Sequence, residues 1–409
     1  MQPVSGNNTM GQDGGGVHPP VTDRNPTSNG RINVSVHAMT PVDSRQIELL
    51  RVFCITAMMW VHVNPGISTP TIVSSGEFHL VGTILGNSLG RISVSLLSFV
   101  SGYLLWRSVS SQSFLDLARH RFRSVVVPML VWSAIFIILA VSKGALAGRN
   151  ANAVVGLEPD YWSFINAWTG IGGATANLSL FFLRDLFVAT LIVRLLAPVI
   201  QSYPLVALAL ALFVPSHDLL APVIFRDSIL QFLLFGAVAA RMEVTFSGLS
   251  RPIMAISIGN ILTLAGVTAL DWQNIPGLAD FHIPLLMRRL GLCFLLLGVT
   301  GMFLRLFPNT VVIRFGRFSF LAYLMHVPMM GVLWTVWQSA VGDGDDQSYL
   351  IFYLGAPIAV FVCAAVLDKA LDAAPDWMQF AMRGKKKSLS HGHPMRDQAI
   401  LAGAERRQK

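Results

Sequence analysis

The residues of this chain that could do chemistry lie where a bilayer would make them costly. In QIELLRVFCITAMMWVHVNPG (46–66), an otherwise apolar run carries Glu48, Arg51 and His62. Ionisable groups at membrane depth cost at least about 2.5–3.5 kcal/mol each, so they usually face a cavity. Arg51 and His62 are eleven residues apart. At about 100° per residue, eleven steps return to within about 20° of the starting direction, with a rise of roughly 16 Å. Both side chains therefore share one helix face. Glu48 stands one turn before Arg51 and can pair with it. An imidazole can take up a proton near neutral pH, and a guanidinium binds anions. The plainer alternative is that Arg51 snorkels to one surface and His62 sits at the other interface.

Four further segments add polar points. FFLRDLF (181–187) sets Arg184 beside Asp185, as a local ion pair or as part of a site. RHRFRSVVVP (119–128) supplies Arg119, Arg121 and Arg123 ahead of a proline. SFVSGYLL (98–105) is a small-residue patch of the kind that lets helices pack closely. RFGRFSFLAYLMHVP (314–328) carries Arg314 and Arg317, with His326 deeper in the apolar run, where a lone histidine is more often structural.

The elements that must position these residues are helices in a membrane. The chain has 409 residues, 53% hydrophobic and only 13% charged, where a soluble protein would carry about a quarter charged. A membrane helix needs about 20 mostly apolar residues. Ten such runs occur, at roughly 46–66, 88–107, 124–142, 178–197, 203–219, 225–241, 252–270, 287–305, 318–338 and 349–368. The expected fold is all-α and polytopic. The basic residues test the orientation. With the N-terminus in the cytoplasm, Arg107, Arg119, Arg121, Arg123, Arg241, Arg251, Arg305, Arg314 and Arg317 all fall inside, while the outer loops receive Lys143, Arg149, Arg226 and an acidic DGDD at 343–346. Both termini are thus expected inside. The net charge of +8 then reflects an anionic leaflet and not nucleic acid. The longest outer loop, 143–177, carries Trp162 and Trp168 and could cover a site.

Residues 1–45 are rich in Gly, Asn, Pro and Ser, lack an apolar targeting core, and read as a disordered cytoplasmic tail. Residues 46–370 form the membrane domain, and 371–409 read as a basic cytoplasmic tail. Cys54, Cys293 and Cys363 lie inside apolar runs, without metal-ligand spacing and with no disulfide expected.

In order along residues 45–330, these segments resemble the bacterial acyltransferase-3 family of integral membrane O-acyltransferases. Arg51 and His62 match its Arg-x10-His motif, LSFVSGYLL its SGyLL segment, FFLRDLF its F-L-R-D-L segment and GRFSFLAYLMHVP its GRiSYslYLiH element. RFRSVVVPMLVW is similar to its Arg-x-x-Arg stretch but spaces the arginines R-x-R. The chain lacks the fused hydrolase-like domain of some members, which leaves the acceptor open. Its first run looks nearest to the exopolysaccharide succinyltransferases of the succinoglycan type. The resemblance implies a multi-pass protein of the bacterial inner membrane that moves a succinyl or acetyl group from acyl-CoA to a sugar hydroxyl of an exopolysaccharide or its lipid-linked precursor. It implies no bound cofactor and no metal. On this reading His62 is the general base, with Arg51 and Glu48 as catalytic partners. Arg184, Asp185 and His326 contact the acceptor, and Arg119, Arg121, Arg123, Arg314 and Arg317 bind the donor's phosphates. Arg51 is too far along the helix to touch His62, so the two would meet different parts of one long substrate in a shared lumen. A polysaccharide or lipid-linked sugar flippase is the rival reading, since transporters also bury charge, and a non-turnover sensor is a third. No internal repeat of the transporter kind is visible.

Overall fold

The computed structural model describes residues 39–63, 81–109, 112–146, 160–172, 175–213, 223–271, 283–308, 310–342 and 346–385. Expectations for the chain before 39, for Asn64-Pro65-Gly66, for most of DGDD and for the end after 385 lie outside them. Among the described residues the secondary structure is entirely helical.

Helix α1 (Pro41–His62) begins inside the segment expected to be a tail. Thr40 caps it, its Oγ accepting from the Asp43 N–H at 3.1 Å. Its first turns are tied down by polar groups that the lipid could not satisfy. Asp43, 2% exposed, accepts from the Ser247 N–H at 2.7 Å. Gln46 donates to the Leu297 carbonyl at 3.2 Å and accepts from Ser250 Oγ at 2.8 Å. A π-helical stretch (Gly82–Gly90) leads into α2 (Arg91–Val109). Helix α3 (Phe114–Arg121) continues through a second π-helical stretch (Phe122–Val126) into α4 (Val127–Leu146). Then come α5 (Tyr161–Thr169), α6 (Phe181–Leu195), α7 (Ala197–Ser202), α8 (Pro204–Phe213), α9 (Asp227–Arg241) and α10 (Phe246–Leu249). The chain closes with α11 (Pro252–Asp271), α12 (Ile283–Leu306), a 3-10 stretch (Val311–Phe318) running into α13 (Ser319–Val341), α14 (Asp346–Leu371) and α15 (Asp376–Arg383).

Helix α1 is the hub: it packs on α2, α10, α12, α13, α14 and both the first π-helical and the 3-10 stretches. Two tight pairs flank it, α11 with α12 and α2 with α9. The second pair explains the small-residue patch. A Cβ on Gly102 would lie 2.0 Å from the Leu233 carbonyl oxygen, and one on Gly236 would lie 2.0 Å from that of Phe99. The two backbones touch, which only glycine at both positions permits.

Among the described residues, five helical segments are long and apolar enough to cross a bilayer: Gly82–Ser108, Phe114–Ala145, Ile283–Leu306, Val311–Val341 and Ser348–Leu371. They cover five of the ten expected runs, and the protein is multi-pass. The other five runs also form helices, and three of them differ in length or charge. Those at 178–197 and 225–241 yield helices of 15 residues each, only about 22 Å at 1.5 Å per residue against a hydrocarbon core of about 30 Å. In the run at 203–219 the described helix has 10 residues, and the run at 252–270 forms the 20-residue α11. Helix α1 is long enough but carries Asp43, Arg45, Glu48 and Arg51. The expected tail at 371–409 is also partly structured: α15 packs against α4 and the second π-helical stretch. The three cysteines are free.

Replacing Gly236 by leucine should lower the thermal midpoint of the detergent-purified protein, because overpacking typically costs about 1–3 kcal/mol and here meets backbone. The same change at Gly331, where a Cβ meets nothing within 4 Å, should leave the midpoint near that of the parent chain.

Candidate active site

Glu48, Arg51, Ile55 and His62 do share one side of α1, but they do not share one lumen. Arg51 and Glu48 line a cavity of about 780 Å³. His62 lines another, of about 470 Å³. Phe182 of α6 lines both. The single lumen expected from sequence is therefore two chambers with one aromatic partition.

The first chamber is cationic. Arg51 donates to Glu48 Oε1 at 3.1 Å, and Glu48 lies against the Gly316 backbone, where a Cβ would come within 2.2 Å of Glu48 Oε2. Arg121, Arg314 and Arg317 join them as expected, together with His120, Arg383 and Lys385, which the sequence did not single out. These cations differ in how they are engaged. Arg383, 4% exposed, donates to Asp368 Oδ1 at 2.9 Å, to Asp372 Oδ1 at 3.0 Å and to Gln379 Oε1 at 2.6 Å. It is a structural tie that docks α15. Arg317 reaches the other oxygen of Asp368 at 3.2 Å from an exposed position. Among the described residues, Arg121 and Arg314 form no ion pair, and Arg121 Nε is buried without a hydrogen-bond partner. Arg119 and Arg123, expected beside Arg121, point to the outside. Two residues along a helix turn the side chain by about 200°, so Arg121 could face the chamber only if its two neighbours did not.

The second chamber holds His62, with Arg91 from the start of α2, Arg226 from the segment before α9, and the aromatic rings of Phe181, Phe182 and Phe225. His326 is not in its lining. It is fully buried behind His62, the ring centroids 5.3 Å apart. Its Nδ1 stands 2.5 Å from the Tyr323 carbonyl. A carbonyl can only accept, so Nδ1 carries the proton and Nε2 holds a lone pair. That Nε2 is buried with no hydrogen-bond partner among the described residues. His326 thus presents an unused acceptor on the ring that packs on His62. Its expected contact with the acceptor has no exposed surface to use, since His326 is fully buried and lines neither chamber.

Tyr323 completes the partition. Its hydroxyl donates to the Ser179 carbonyl, its ring meets Phe182 edge-on at 5.9 Å, and it faces the first chamber while Ser179 faces the second. Ser179 Oγ is itself committed to Asn177 Oδ1 at 2.7 Å. The four-residue sequence Tyr323–His326 puts both rings on one side of α13, a spacing visible in YLMH but not interpretable without α1 beside it.

Arg184 and Asp185 do not line either chamber. Asp185 is fully buried. One oxygen accepts from Arg184 Nε at 3.1 Å, and the other accepts from the main-chain N–H groups of Phe225 and Arg226 at 3.1 and 3.0 Å. Arg184 donates to the carbonyls of Gly170 and Val223 and lies 3.8 Å from the Phe225 ring centroid. This pair is a clasp that fixes the segment entering α9, and so fixes Arg226 at the mouth of the His62 chamber. The expected direct contact with substrate is replaced by this indirect role. In the loop expected to cover the outer face, Trp168 Nε1 donates to the Leu130 carbonyl at 2.9 Å, docking α5 on α4.

Comparison with known proteins fits this layout. A family profile described as an acyltransferase domain matches residues 44–369. The chain belongs to the acyltransferase-3 family. It is a membrane-embedded O-acyltransferase. It is also 28% identical over 346 residues, 81% of this chain and 90% of the other, to the succinoglycan biosynthesis protein ExoH of Rhizobium meliloti (strain 1021). No solved structure matches it. Among the described residues no group of three or more His, Cys, Asp or Glu could hold a metal ion.

Asp185→Ala should destabilise the folded protein by about 3–5 kcal/mol, the usual result of stripping a buried ion of its partner. A thermal melt checks this. An unchanged midpoint together with lost acyl transfer would instead make Asp185 a substrate contact.

Proposed function

We propose that this O-acyltransferase draws acyl-CoA from the cytoplasm into the Arg51 chamber and passes its acyl group to a sugar hydroxyl presented at the His62 chamber. The acceptor is an exopolysaccharide or its lipid-linked precursor, as the likeness to a succinoglycan biosynthesis protein suggests. The membrane is the bacterial inner membrane. The observation that carries this reading is the pair of chambers on either side of Phe182.

The chemistry divides between them. A nucleotide donor brings phosphates, which need cations, and guanidinium binds phosphate bidentately. Arg121 and Arg314 have no carboxylate to release first. The donor's long arm then spans the distance from Arg51 to His62, roughly 16 Å of helix rise. At the far end His62 takes the proton of the acceptor hydroxyl. The hydroxyl oxygen attacks the thioester carbonyl, the carbon–sulfur bond breaks, and the leaving thiolate takes the proton from His62. The products are an O-ester and the free thiol of CoA. His326 holds the orientation of the His62 ring. Direct transfer is favoured over an acyl-enzyme because, among the described residues, no cysteine lines either chamber and the serine that lines the chamber of His62, Ser179, has its hydroxyl engaged.

General-base catalysis contributes about 10²–10⁴-fold. His62→Ala should therefore lower kcat of acyl-CoA-dependent glycan acylation by that range with unchanged membrane insertion. Arg121→Ala should act mainly through KM for the donor. A His62→Ala protein that acylates normally while polymer export fails would favour transport instead.

A further inference from the structure

The His62 chamber carries more positive charge than proton transfer requires. Arg91 and Arg226 both line it and both are solvent-exposed within the structure. Among the described residues, neither forms an ion pair, and the same holds for Arg288 and Arg289 on α12. Arg226 and Arg289 are electrostatic neighbours, so like charges gather here, with no ion pair to either among the described residues. The nearby carboxylate does not serve. Both oxygens of Asp185 are used, one by the Arg184 guanidinium and the other by main-chain N–H groups. Asp185 holds the backbone of Arg226 but neutralises Arg184. The Arg226 guanidinium is then steadied by the Phe181 ring, 5.0 Å from its centroid, a cation–π seat that leaves its N–H donors available. A neutral hydroxyl and a neutral acyl group give such a cluster nothing to bind.

We propose that Arg226, with Arg91 beside it, is an anion subsite that receives the distal carboxylate of a dicarboxylic acyl group and so selects a succinyl-type donor over a neutral one. This rests on the acyl-CoA reading above. In a succinyl group the carboxylate carbon lies about 4 Å from the carbonyl carbon in the extended form. An arginine in the same chamber as His62 is therefore suitably placed to hold one end while the other reacts. The bidentate fork of arginine matches a carboxylate, and a site built around such a contact rejects the analogue that lacks it.

The test uses the full-length protein in membranes, its glycan acceptor from cells lacking this chain, and two donors of equal length, succinyl-CoA and butyryl-CoA. The parent protein should prefer succinyl-CoA. In Arg226→Gln the ratio of succinyl to butyryl transfer should fall at least about 30-fold, with the loss on succinyl-CoA, and Arg226→Lys should recover part of it. Thermal midpoints report folding separately. Equal losses on both donors would place Arg226 on the acceptor and overturn the proposal, as would an unchanged ratio or a parent protein that prefers the neutral donor. Absence of transfer from any acyl-CoA by the parent protein would instead overturn the donor reading on which the proposal stands.

Discussion

The structure depends on one constraint: a single helix must carry a guanidinium and an imidazole at a fixed separation through an apolar bundle. Helix α1 meets it by sitting at the hub, in contact with most of the bundle. Its N-terminal turns are held by hydrogen bonds that Asp43 accepts from α10 and Gln46 donates to α12. The N-terminal end cannot shift without breaking these buried polar contacts. The eleven-residue interval then sets the two chambers a fixed distance apart. Its sequence cost is visible as charge in a run that would otherwise be a simple lipid span.

What divides the compartments is as informative as what lines them. Phe182 and Tyr323 meet edge-on between the chambers. The Tyr323 hydroxyl bonds to the Ser179 carbonyl, and the His326 ring joins Tyr323 to His62. A thioester crossing it would leave its phosphates with Arg121 and Arg314 and bring its carbonyl to His62.

Much of this was legible in the sequence, and the residues show why the rest was not. The Arg51–His62 face and the Glu48 pair follow from helical periodicity alone. The glycine patch at 98–105 announced its close contact, although only the structure names Gly236 as its partner. Arg121 lines the Arg51 chamber, while Arg119 and Arg123 do not, because composition marks a basic run but not which of its members turns inward. Arg184 and Asp185 read as a site because buried charge usually is one. Their actual partners are main-chain groups some forty residues away, which sequence spacing cannot show. Arg226 was hidden for the converse reason: as a loop charge it counted only toward topology. His326 stood out in the sequence by its depth in an apolar run, but its place behind His62 depends on α13 packing against α1, a contact between residues more than two hundred positions apart.

The most direct measurement is a cryo-EM structure with a non-hydrolysable thioether analogue of acyl-CoA bound. The account predicts phosphate density at Arg121 and Arg314, an arm passing Phe182, and the acyl carbonyl within hydrogen-bonding reach of His62. A nucleotide bound with its whole arm retained on the Arg51 side, or seated at the His62 chamber itself, would contradict it.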